Sequence, residues 1–133
     1  MRRDKERGQG MAEAALAIPA VLLLVFALIN LTILGYASVA ASNAANYGAR
    51  VGSVYQTGAA AQAASAAQQA ADSAMIGQYS VAAAGGGQPG SQVVVAVQYR
   101  VPNFMGGIVG LFGGSTPTEF TGVARAYFRQ EGY

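Results

Sequence analysis

The stretch RGQGMAEAALAIPAVLLLVF, residues 7–26, decides how the chain folds. It runs from a basic leader into alanine, leucine and valine, and it carries one carboxylate, Glu13, at its head. From Ala14 to Ala49 no residue is charged, and Leu16 to Leu34 is strongly apolar. As an α-helix, Leu16 to Gly35 rises about 30 Å, the thickness of one hydrocarbon core. The segment therefore reads as a membrane span in the newly made protein. Pro19 sits early within it, removing a backbone hydrogen bond in a setting where membrane helices tolerate the loss. Asn30 and Thr32 are polar but can bond to the backbone or to a neighbouring helix.

Upstream, MRRDKERG (residues 1–8) holds four of the chain's eight basic residues, Arg2, Arg3, Lys5 and Arg7. The positive-inside tendency keeps such a leader in the cytoplasm. Downstream, alanine dominates from Tyr36 to Gly77, with Ser, Asn and Gln between, and the propensity favours helix. Gly48 and Gly52 form a small-xxx-small pair that lets two helices approach closely. Gly58 is the expected break or bend. Read through to Met75, the helix would reach roughly 95 Å, three times what a bilayer needs, and would suit packing against copies of itself. The alternative after residue 57 is a flexible low-complexity linker.

The last third alternates. GGGQPG (residues 85–90) is a turn, separating a short strand at Gln78–Ala83 from SQVVVAVQYRV (residues 91–101). Val93, Val95, Val97, Tyr99 and Val101 fall on one face of that second run, as in a half-buried strand. TEFTGVARAYFRQE (residues 118–131) gives a third strand with Phe120 and Phe128 in phase, ending in solvated charge. The expected class is α+β: a long hydrophobic N-terminal helix followed by a small antiparallel head of two to three strands. The expected divisions are a leader at 1–8, a membrane or filament-core helix with its extension at 9–57, an Ala/Gln-rich helix at 58–77, and a β head at 78–133. Within the head, the loop 102–117 is both glycine-rich and apolar, with Phe104, Met105, Ile108, Leu111 and Phe112. It either contacts a neighbouring subunit or another surface, or folds over the chain's own helix.

Composition excludes much. Charged residues are 11% of the chain, less than half the usual share of about 25%. A net charge of +2 gives no case for nucleic acid. With no cysteine and no histidine, thiolate and imidazole metal sites and the commonest general base are missing. Neither glycine-rich segment has the Lys-Ser/Thr of a phosphate-binding loop, and no Gly-x-Ser-x-Gly elbow occurs. Carboxylates beyond Glu13 are Asp72, Glu119 and Glu131, scattered with no pairing for acid–base work. The expectation is a non-enzyme with no catalytic residues, cofactor or metal.

The order of signals in residues 1–26 resembles the processing site of type IV-like prepilins: a short basic leader, a glycine, a glutamate five residues on, then an apolar helix. RGQGMAEAALAIPAVLLL is similar to the opening of TadE-like pseudopilins of tight-adherence (Tad/Flp) pilus systems. SNAANYGARVGS is similar to that family's alanine- and asparagine-rich segment ending in Gly48, Ala49 and Arg50. The tail, with a valine strand, a proline-bearing glycine loop and a last strand reaching Arg129 and Glu131, fits as well. Ala14 departs from the pattern, standing where an aromatic often follows the glutamate. The resemblance implies that a membrane peptidase cuts between Gly8 and Gln9 at the cytoplasmic face. The new ammonium on Gln9 could then meet Glu13 of its own or an adjacent chain and set the register of assembly. Glu13 could also simply cap the helix N-terminus, favoured by the dipole.

Together these readings give a structural pilin-like subunit. It sits in the inner (cytoplasmic) membrane as a single pass with its N-terminus cytoplasmic, in contact with lipid, and then assembles by helix packing into an extracellular pilus, as a major or minor subunit. Glu13, Pro19, Gly48 and Gly52 are its assembly residues. Its partners would be further copies, other pilins, a prepilin peptidase and a membrane assembly platform. The alternative is a bitopic membrane-anchored envelope protein whose head binds a partner without polymerising. That anchor would have no need of 40 further residues of uncharged helix. A third reading, a secreted protein cut after Ser38-Val39-Ala40, is opposed by an apolar run longer than the usual signal core.

Overall fold

Six elements follow one another: α1 (Arg2–Val54), α2 (Ala59–Asp72), β1 (Gln78–Gly85), β2 (Gln92–Pro102), α3 (Gly106–Leu111) and β3 (Glu119–Arg129). The computed structural model describes residues 2–131, with side chains from residue 10 onward. The basic leader and the Gly8–Gln9 junction lie outside the described side chains. The architecture is α+β, with the long apolar N-terminal helix preceding a three-stranded antiparallel sheet of order β1-β2-β3. The chain divides into two units, one of residues up to Thr32 together with Asn103–Thr118, the other of Ile33–Pro102 with residues from Glu119 onward.

The second unit holds the core. Helix α1 stops at Val54, where Tyr55 N–H bonds to Gly52 O at 3.2 Å in a tightened last turn. Gly58 then takes φ 66°, a left-handed conformation that glycine adopts without a Cβ clash, and Gln62 N–H bonds to its carbonyl at 3.0 Å to start α2. A single helix running on to Met75 is thus replaced by two, and the alanine-rich residues after Gly58 form a folded helix rather than a linker. Ala41, Ala44, Ala45 and Ala49 of α1 and Ala59, Ala63, Ala67 and Ala71 of α2 are fully or almost fully buried in one cluster. Their spacing of three and four places each set on one helical face.

Helices carrying only methyl groups can approach to backbone contact. A Cβ added at Gly48 would lie 2.5 Å from Ala63 O and 2.6 Å from Ala67 Cβ, and one at Gly52 would lie 2.6 Å from Ala63 Cβ. The close approach that the glycine pair permits is therefore occupied here by α2 of the same chain.

The sheet closes this cluster. Val93, Val95, Val97 and Val101 of β2 are its largest fully buried side chains, each worth about 1.5–3 kcal/mol relative to exposure. In the antiparallel register they lie opposite Phe128, Ala126, Ala124 and Phe120 of β3, so both phenylalanines share the core face. Tyr99 continues that face opposite Gly122, where its ring occupies the space a side chain would need. The reverse face carries Gln98, Arg100, Arg125 and Arg129, all exposed. Between β1 and β2 the turn is made by Gly85, Gly86, Gly87 and Gly90, all at positive φ.

One polar residue ties these parts together. Gln130 is 3% exposed; its Nε2 donates to Tyr55 O at 2.6 Å, while its Oε1 accepts from Gly87 N–H at 2.8 Å and Ser91 Oγ at 3.1 Å. Just past β3, between the exposed charges of Arg129 and Glu131, a buried amide thus joins the α1–α2 connection to the β1–β2 turn.

Candidate functional site

The distinctive surface is the first half of α1. Between Gly10 and Val54 lies the one helix, among the described residues, long and apolar enough to cross a membrane; only 6% of its most apolar 18-residue window is buried. Leu16, Ile18, Leu22, Leu24, Leu28 and Leu31 are all exposed. Monomeric soluble proteins rarely present contiguous apolar surface of this kind, so it requires lipid or another helix. Glu13 lies on the exposed surface just before the leucines, and Pro19 is half-buried within the unbroken helix.

The apolar surface is interrupted once. Asn30 is 5% exposed although Ile29 and Leu31 on either side of it are exposed. Its Nδ2 donates to Asn103 Oδ1 at 2.9 Å, and its Oδ1 accepts from Phe104 N–H at 3.0 Å. Asn103 in turn accepts from Met105 N–H at 3.0 Å and donates through Nδ2 to Pro117 O at 2.7 Å, closing the loop on itself. A buried amide without partners costs roughly 2–7 kcal/mol, so a complete set here converts a liability of the helix into an attachment point. Thr32 satisfies its hydroxyl locally by donating to Leu28 O at 2.8 Å.

The loop attached this way forms a short helix, α3, inside residues 103–118. Met105 and Ile108 are half-buried, whereas Phe104, Leu111 and Phe112 are exposed, Leu111 at 83%. The loop is thus fixed to its own helix through Asn103 and Phe104 and still presents apolar side chains outward. Sequence reasoning noted Asn30 but not its partner, 73 residues away, which no local pattern signals. Gln130 was also missed, although the even-numbered phase of Phe120 and Phe128 places it on the core face.

In the second unit, a cleft of about 340 Å³ between α1 and α2 is lined by Tyr36, Asn43, Tyr47 and Ser73, among others. Tyr36 OH accepts from Met75 N–H at 3.1 Å. Nearby, Tyr79 donates to Ile76 O at 2.7 Å, and its phenol is pushed above the ordinary value of 10.0 by burial first, then by Tyr36 and Tyr99. Among the described residues no group of three or more His, Cys, Asp or Glu could hold a metal ion.

Residues 8–50 match the family model described as TadE-like protein. No curated protein and no solved structure matches the chain. The matched segment covers the exposed leucine half of α1 and most of its alanine half, and none of the sheet. The match and the apolar helix together fit a membrane protein associated with Tad pili.

Proposed function

We propose that this chain, carrying the TadE-like segment at residues 8–50, is a non-catalytic structural subunit that enters the membrane through α1 and is then packed into a pilus. The observation that carries this reading is the coincidence of that segment with a helix half left bare by its own chain. In the membrane, lipid covers the leucines; in a filament, the α1 helices of neighbouring copies and other pilins do so. Outside the membrane, burial between neighbouring helices keeps this surface from water at roughly 25 cal/mol per Å², which holds the filament together once formed. A membrane assembly platform supplies the energy for extraction.

Processing by a prepilin peptidase between Gly8 and Gln9 leaves an ammonium at the start of the apolar helix. A lone charge among packed helices is costly, and Glu13, about one turn further along, compensates it within or between chains. Pro19 adjusts the helix between Glu13 and the leucines from Leu22 onward. The outward side chains of the loop, Phe104, Leu111 and Phe112, with Met105 and Ile108 behind them, contact an adjacent subunit in the filament.

One observation favours the second reading, a bitopic envelope protein that never polymerises. The 40 residues that an anchor would not need, uncharged but for Arg50 and Asp72, are packed into the chain's own head, through Gly48, Gly52 and the alanine faces. The case for polymerisation therefore rests on residues 10–29. Because the chain lacks cysteine, single substitutions Ile18→Cys and Leu28→Cys report on that surface directly. Assembly predicts disulfide-linked dimers after oxidation of material sheared from cells; chains found only as monomers in the membrane fraction would favour the anchor.

A further inference from the structure

The loop at 103–118 stands at a definite height on the membrane helix. Asn30, which holds it, lies 17 residues after Glu13, about 25 Å along the helix axis. A hydrocarbon core is about 30 Å thick, so if Glu13 marks one boundary, Asn30 lies just inside the other. The pair of hydrogen bonds that Asn30 makes, donating to Asn103 and accepting from Phe104 N–H, therefore fixes a glycine-rich, apolar loop at the far edge of the bilayer. Its outward side chains, Phe104, Leu111 and Phe112, carry no charge and belong to the same unit as the exposed leucines of α1. No residue from Pro102 to Thr118 is charged. Part of the backbone that such a position would leave unsatisfied is paired internally: Asn103 N–H bonds to Thr118 O at 2.9 Å, and Val109 O accepts from Phe112 and Gly114 N–H.

We infer that, in the membrane-resident protein, residues 103–118 form an interfacial foot clasped by Asn30 and seated among the acyl chains of the leaflet away from the N-terminus. This inference rests on the membrane reading of α1 and not on filament assembly. The foot gives the span a second lipid contact that limits its sliding and tilt. It also covers the one amide that the span would otherwise bring into hydrocarbon.

The chain has no tryptophan, so single-tryptophan variants of the full chain give a clean depth probe. Leu111→Trp replaces an exposed side chain, and Leu22→Trp serves as a reference within the span. Both are reconstituted at high lipid-to-protein ratio into vesicles of phosphatidylcholine and phosphatidylglycerol with bromine placed either near the headgroup or near the terminal methyl. The expected result is a blue-shifted Leu111→Trp emission that loses most of its intensity to the shallow bromine and less to the deep one, with the opposite order for Leu22→Trp. Phe112→Trp is the second probe and must give the shallow order if Leu111→Trp inserts poorly. Asn30→Ala in the Leu111→Trp background should abolish the shallow preference; if it leaves that preference unchanged, the clasp is overturned.

A red, unquenched Leu111→Trp beside a quenched Leu22→Trp overturns the foot while leaving the span intact. A blue-shifted emission that neither bromine quenches means that protein from a neighbouring copy covers the loop, which also overturns the lipid assignment. If neither probe is quenched, the membrane reading falls together with the foot.

Discussion

Helix α1 turns Leu16, Leu22, Leu24, Leu28 and Leu31 outward along its first half and buries Ala37, Ala41, Ala44, Ala45 and Ala49 along its second. Both halves are uncharged from Ala14 to Ala49, and by hydropathy alone both could pass for core or for span. What separates them is side-chain size. Large side chains gain most from transfer out of water and need no fitted partner when the cover is lipid. Methyl groups gain little individually but allow two helices to meet at backbone distance, where packing is dense. The large residues of α1 therefore mark the surface whose cover lies outside the chain, and the small ones mark the surface that its own α2 and sheet cover.

The difference can be broken from either side. The largest effect is expected from Gly48→Val, whose Cβ would meet Ala63 O and Ala67 Cβ; overpacking of this kind should cost about 3 kcal/mol or more and expose the head. Hydrogen exchange of the β2 amides should then accelerate, while membrane association through the leucine half is retained. Leu24→Arg should do the reverse. A charge at the centre of a span costs about 2.5–3.5 kcal/mol of insertion, so the fraction resisting alkaline extraction should fall with β2 exchange unchanged. Gln130→Ala should loosen the head by about 1–3 kcal/mol, because Tyr55 O and Gly87 N–H lose their partner. Faster exchange limited to the end of β3 and the β1–β2 turn would identify that loss.

The smallest effect concerns pH. The Tyr79 phenol is raised above 10.0 in the folded head, so its contribution is fully present below that value and is lost as pH rises through the folded pKa. Stability of the head should therefore decline at alkaline pH, and Tyr79→Phe should lack that step, as followed by β2 exchange.

Much of this organisation is legible in the sequence. The valines of β2 announce their face by strict alternation, and the glycine turn at 85–90 marks the hairpin that joins β1 to β2. The length of the apolar run identifies α1 without any tertiary information, because a span needs only composition and length. The helix break was half legible: Gly58 stands out, but nothing local says that the chain turns back onto α1. A small-xxx-small pair reports that a helix comes close and is silent on whose helix it is, which is why Gly48 and Gly52 suggested another copy and met α2. Asn30 and Asn103 form a link of high sequence separation, and such pairs carry no periodic signature. Gln130 lay hidden between Arg129 and Glu131, where charge on both sides outweighed the two-residue period of the strand.

The most direct test of the central claim, that the leucine half of α1 passes from lipid into a filament after processing, is the intact mass and N-terminal peptide map of the protein sheared from cell surfaces. The account predicts chains in the sheared fraction that begin at Gln9, with the full-length chain confined to membranes. Absence from the sheared fraction, with every chain in the membrane and still beginning at Met1, would contradict it.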